Sequence, residues 1–197
     1  MLLSAGISGK GYYTAGAAFL HGGNMKHFLG QAGRLLLWQL ISEILCLILA
    51  FSFAILDASF PLRIAGIVCC VTAHLLLTGN AAAKCADADL RLLRTSGIRR
   101  KILHPVLLGI CTILPAYLLC GMLLAQRGSI LMQNVYLLLN APFSGINRLL
   151  FGAYEPFSAV PRSRQIMSSL LPLLTFPAVV LPYRLRYVRG TARTSRT

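Results

Sequence analysis

Two ionisable side chains stand inside apolar runs of this chain: Glu43, within WQLISEILCLILAFSFAIL, and His74, within a second run that begins at Ile64. A carboxylate in hydrocarbon costs roughly 2.5 kcal/mol or more. Its presence therefore calls for a purpose: a polar fastener between helices, or a proton or ligand site. Glu43 lies eight residues beyond Leu35, about 12 Å along a helix, and His74 lies nine residues before Ala83, about 13.5 Å. If both runs are helices joined by a short turn, the two residues stand at one level and predict a carboxylate–imidazole contact. At 100° per residue, Gln39 joins Glu43 on one face and Thr78 joins His74. Glu43, His74, Gln39 and Thr78 are the candidate proton or ligand site. Pro172 and Pro177, in the last apolar run, are candidate helix breaks, where a freed carbonyl can face a substrate or ion.

Other chemistry has little support. The sequence contains no H-E-x-x-H or G-x-S-x-G, and no apolar run holds two of its five acids, Glu43, Asp57, Asp87, Asp89 and Glu155. A two-carboxylate mechanism or a carboxylate metal cage is not expected. The six cysteines form no C-x-x-C, and five of them fall inside apolar runs, which predicts small packing residues. No enzyme activity, metal or cofactor is expected. GISGKGYY lacks the spacing of a phosphate loop.

The elements that must position these residues are membrane spans. The chain has 197 residues, 56% hydrophobic and 12% charged, the latter about half the share of a soluble domain. Four runs are long enough, at about 20 apolar residues, to cross about 30 Å of hydrocarbon: 35–56, 64–83, 105–125 and 166–182. Within them small and polar residues share faces. These are Gln39, Ser42, Glu43 and Cys46; Cys70, His74, Thr78 and Ala81; Gly109, Thr112, Ala116 and Cys120; Ser168, Pro172 and Thr175. In lipid the small-polar face meets other helices. No span contains GxxxG, so a close glycine-mediated crossing is not expected.

The net charge of +14 follows the topology. Lys10, Lys26 and Arg34 precede the first span, Lys84 to Lys101 hold six basic residues between the second and third, and five arginines follow the fourth. Fourteen of 19 basic residues thus fall on one side, which predicts both termini in the cytoplasm. Nucleic-acid binding is not expected; anionic headgroups at the cytoplasmic face are. Residues 1–34 read as a glycine-rich N-terminal arm, with an anchor in Tyr12, Tyr13, Phe19 and Leu20. The string GGNMK before residue 27 equally supports a true start at Met25. Residues 184–197 read as a basic cytoplasmic tail.

Between spans 2 and 3, Asp87 and Asp89 predict the start of a separate helix, because acids suit helix N-termini, and Gly97 predicts its C-cap. The run LLRTSGIRRKIL resembles the cytoplasmic elbow of ABC-transporter permeases over a dozen residues, without the acidic start of that elbow. Between spans 3 and 4, ILMQNVYLLLN is too short to span, and Asn140-Ala141-Pro142 interrupts it before FSGINRLLFGAY.

The expected fold is therefore all-α: an integral membrane four-helix bundle, N-in and C-in, over residues 35–183. A short re-entrant or interfacial helical segment is expected in the outer loop. The expected function is that of a multi-pass cell-membrane protein without catalysis, an accessory or assembly subunit whose partner is another membrane protein or itself. The alternative is a small transporter or permease-like subunit with its site at Glu43 and His74.

Overall fold

The computed structural model describes residues 22–55, 60–97, 100–125, 130–151 and 161–194. These residues are almost wholly helical, with no strand among them. Tyr12, Tyr13, Phe19, Leu20 and residues 56–59, part of the expected short turn, lie outside them.

Among the described residues seven α-helices follow in chain order: α1 Gly22–Ile55, α2 Phe60–Ser96, α3 Leu103–Leu124, α4 Ile130–Leu139, α5 Ser144–Phe151, α6 Arg162–Leu170 and α7 Thr175–Thr194. A 3-10 turn at Ala141–Phe143 joins α4 to α5, and another at Leu171–Leu174 joins α6 to α7. Among the described residues, four helical stretches are long and apolar enough to cross a membrane: Met25–Phe53, Phe60–Ser96, Leu103–Leu124 and Arg162–Ala192.

The long apolar helices α1, α2 and α3 and the helix α7 that completes the fourth stretch pack as a closed ring in the order α1, α2, α7, α3. Contacts between Ser42 and His74 and between Gln31 and Cys85 make α1 and α2 antiparallel. Gly79 lies against Pro182 and Gly190 against Leu90, so α2 and α7 run parallel. The second and fourth spans are therefore neighbours, and the N-termini of α1 and α3 meet the C-termini of α2 and α7 at one end.

Each helix buries the face its small and polar residues mark. Ser42, Glu43 and Cys46 of α1 are buried while Leu40, Ile41, Ile44, Leu45, Ile48 and Phe51 are exposed. Cys70, His74, Thr78 and Ala81 are buried in α2, Thr112, Ala116 and Cys120 in α3, and Ser168 and Thr175 along the last span. The exposed apolar faces suit lipid, where close packing and interhelical hydrogen bonds hold helices together.

Four details differ from the sequence expectation. The segment after Ala83 opens no new helix at Asp87 and Asp89: α2 runs unbroken through both to Ser96. No glycine or proline stands between Ala83 and Gly97, whose φ of 65° and N–H bond to the Leu93 carbonyl (3.0 Å) close the helix. The arm is helical from Gly22, and the expected basic tail continues α7 to Thr194. Close glycine crossings do occur, as single residues rather than GxxxG pairs. A Cβ at Gly79 would stand 3.2 Å from Pro182 Cγ and 3.3 Å from the Ala178 carbonyl, and one at Gly109 would stand 2.8 Å from Phe176. One glycine suffices where the facing helix offers a bulky ridge.

Of the proline candidates, Pro172 sits in the 3-10 turn that interrupts the last span. Pro177 lies in the first turn of α7, where its missing N–H is no loss. Pro182 lies inside α7 without ending it. Between α3 and α6, α4 and α5 form a helical hairpin whose tip, Ala141–Phe143, is buried against α1 and α2.

Candidate functional site

Buried polar residues occupy three levels of the bundle. The first lies where four helix ends gather. Asp89 is fully buried on α2, about 9 Å beyond Ala83. Its Oδ1 is 2.8 Å from His27 Nε2 of α1 and accepts from Arg100 Nε at 3.1 Å. Its Oδ2 accepts from the Tyr183 hydroxyl of α7 and lies 3.3 Å from His104 Nε2 of α3. Gln31 of α1 ties the ring together: its Nε2 reaches His27 Nε2 (3.0 Å) and the Cys85 carbonyl (3.2 Å), and its Oε1 is 2.7 Å from His104 Nε2. Arg100 supplies the fixed positive charge against the carboxylate, and its backbone N–H donates to the Tyr187 hydroxyl at 2.9 Å. Aromatic edges from Phe28 and Tyr183 pack on the His104 ring, 5.6 and 5.9 Å between centroids.

One carboxylate thus joins α1, α2, α3, α7 and the α2–α3 connection. Isolated in a protein interior it would be very costly, and it is tolerated because a charged partner and several donors satisfy it. The sequence reading missed this hub. Its signals were present as pairs one turn apart: His27 with Gln31, Cys85 with Asp89, Tyr183 with Tyr187.

The second level holds the residues singled out from the sequence. His74 is buried, with Nδ1 2.7 Å from Ser42 Oγ and Nε2 3.1 Å from Thr175 Oγ1. Ser42 Oγ donates to the Gln39 carbonyl at 2.8 Å. Through these two contacts the imidazole links α1, α2 and α7. The Phe143 edge from the hairpin tip packs on the same ring at 5.7 Å.

The expected Glu43–His74 contact is not formed. Glu43, 1% exposed, accepts from Gln39 Nε2 at 3.1 Å. The level was right but the azimuth was not: Ser42, 100° away on the helix, takes the imidazole. Thr78 donates to the His74 carbonyl at 2.7 Å, so its hydroxyl is spent within α2. Among the described residues, Gln39 Oε1 is buried without a partner.

The third level lies against the hairpin. Ser168 Oγ donates to Asn147 Oδ1 at 2.9 Å and is 3.3 Å from the Tyr136 hydroxyl. Tyr117 donates to the Ser169 carbonyl at 2.7 Å, and Asn140 Nδ2 to the Tyr136 carbonyl at 2.9 Å. The six cysteines are free thiols. Cys46 and Cys70 point at each other's carbonyls across α1 and α2, at 3.3 and 3.7 Å. Among the described residues, no three His, Cys, Asp or Glu side chains are arranged to hold a metal ion.

Chemically, the first and second levels can fasten helices, and the Gln39–Glu43 pair can hold a proton or a small donor. No known protein family, curated protein or solved structure matches the chain.

Proposed function

We propose that this chain is a multi-pass cell-membrane protein with both termini in the cytoplasm, working without catalysis as an accessory or assembly subunit of a membrane complex. The carrying observation is the Asp89 hub. Alternating access requires one set of helices to rock against another around a site. A buried carboxylate tied to all four spanning helices at one end opposes that motion and leaves the outer faces as the working surface. The orientation is supported by the gathering of Lys26, Arg34, Lys84, Arg91, Arg94, Arg184 and Arg189 on helices that meet at the hub end, with Lys101 in the connection between α2 and α3. On this reading the α4–α5 hairpin is re-entrant from the outer side. The partner is another membrane protein or further copies of the chain, alongside anionic headgroups at the cytoplasmic face. Native mass spectrometry of the chain purified from its own membranes tests the reading. A complex of fixed stoichiometry is expected, and a chain that runs alone at every detergent concentration overturns it.

One observation favours a second reading, a small transporter or permease-like subunit. Among the described residues, Glu43 is buried with one donor, and that donor's own oxygen has no partner. A membrane carboxylate with unspent acceptor capacity suits a proton or a cationic ligand. In reconstituted vesicles, Glu43→Gln and His74→Ala then abolish proton- or solute-dependent uptake. Unchanged uptake ends this reading.

A further inference from the structure

Glu43 and Gln39 leave one hydrogen unaccounted for. Glu43 is 1% exposed on α1, and Gln39, one turn before it, donates Nε2–H to Glu43 Oε1 at 3.1 Å. Among the described residues the second carboxyl oxygen has no hydrogen bond and no cation pairs with the acid. Gln39 Oε1 is likewise enclosed without a donor. Two acceptor oxygens thus stand on neighbouring side chains with a donor for neither. The polar groups around them are committed elsewhere. Ser42 Oγ donates to the Gln39 carbonyl and Cys46 Sγ to the Cys70 carbonyl. The His74 nitrogens lie 2.7 and 3.1 Å from the Ser42 and Thr175 hydroxyls.

We infer that Glu43 binds one proton and holds it as a neutral acid whose O–H donates to Gln39 Oε1. A protonated carboxyl carries a donor beside its carbonyl, and a primary amide carries an acceptor beside its N–H. The two match end to end. One leg, Gln39 Nε2–H to Glu43 Oε1, is in place, and the proton supplies the other. It satisfies both open oxygens at once and removes a charge that no cation at this level balances. Two oxygens suit one hydrogen and not a hard metal ion, which takes about six or more. Asp89, by contrast, has Arg100 and the Tyr183 hydroxyl and needs no proton. The inference rests on the transport reading's premise that Glu43 is the open acid of the bundle, and it commits that site to a proton rather than a cationic solute.

The test uses the full chain in lipid vesicles at neutral pH, with isotopically labelled glutamate carboxyls and infrared absorption as the readout. The chain has two glutamates, Glu43 and Glu155, so two variants complete the assignment. A protonated-carboxyl C=O band that shifts with the label is expected in the parent chain. Glu43→Gln is expected to lose it and Glu155→Gln to keep it. Glu43→Gln is expected to fold, by circular dichroism, because its amide N–H takes the place of the acid O–H. Gln39→Leu is expected to move the band to higher wavenumber, because the acid carbonyl loses the Gln39 N–H. No labelled band in the parent chain, or its persistence in Glu43→Gln, overturns the inference. An unmoved band in Gln39→Leu overturns the pairing with Gln39. A band that vanishes when sodium replaces choline makes this a cation site and overturns the proton assignment. Uptake is read separately. The band without uptake supports the proton and ends the transport reading; uptake without the band supports transport and overturns the proton.

Discussion

Two buried carboxylates share one bundle and are treated oppositely. Asp89 is 0% exposed and Glu43 is 1% exposed, so burial does not distinguish them. Asp89 faces His27, Arg100, His104 and Tyr183, whereas Glu43 has Gln39. The difference lies in where each stands. Asp89 occupies the plane in which four helix ends and a connection converge, so donors arrive from every side. Glu43 stands mid-helix, where each neighbour offers one narrow face and Ser42 has already taken the nearest imidazole. Convergence of chain segments satisfies a buried acid; depth alone does not.

The largest expected effect comes from destroying the satisfied site. Asp89→Ala leaves Arg100 without its counter-charge and strands two imidazoles and a phenol. The cost is about 3–5 kcal/mol, read as a loss of thermal stability in detergent and of hub protection in hydrogen exchange. Crowding the parallel α2–α7 crossing comes next. Gly79→Val places methyls against Pro182 and the Ala178 carbonyl and is expected to cost about 1–3 kcal/mol; an unshifted unfolding temperature would contradict the close approach. His74→Ala removes the bonds to Ser42 and Thr175 and the ring that supports Phe143. A loss of about 1–2 kcal/mol is expected, with faster exchange at the hairpin tip than at the hub. The smallest effect belongs to Glu43→Gln. A neutral amide needs less solvation than the acid it replaces, so stability is expected to hold within about 1 kcal/mol or to rise.

Much of this was legible in the residues. The inward faces of all four spans followed from where small and polar side chains recur, because a lipid-facing residue is large and apolar and an interhelical one is small. Ser42, Glu43 and Cys46 against Ile41, Ile44 and Ile48 show it plainly. The break at Asn140-Ala141-Pro142 and the cap at Gly97 followed from backbone chemistry. The Glu43–His74 contact did not, because depth fixes a level while a single residue step rotates a side chain by 100°. The hub was hidden for another reason. Asp87 and Asp89 resemble a helix start when the apolar run ends at Ala83, yet helix formation depends on breakers, and none occurs between Ala83 and Gly97. Asp87 keeps to the surface, paired with Arg186 at 2.7 Å, while Asp89, two residues on, turns to the core. Nor does any local pattern announce that the second span pairs with the fourth rather than the third.

The contrast between the two acids is tested most directly by two matched substitutions, Asp89→Asn and Glu43→Gln, each trading a carboxylate for its amide. Unfolding of both variants is measured beside the parent chain in one detergent at one pH. Asp89→Asn is expected to lose at least about 2 kcal/mol, because an amide cannot balance Arg100 or accept from every donor around it. Glu43→Gln is expected to match or exceed the parent. Equal losses, or a larger loss at Glu43, would contradict the assignment of Asp89 as the fastener of this bundle and Glu43 as its uncommitted acid.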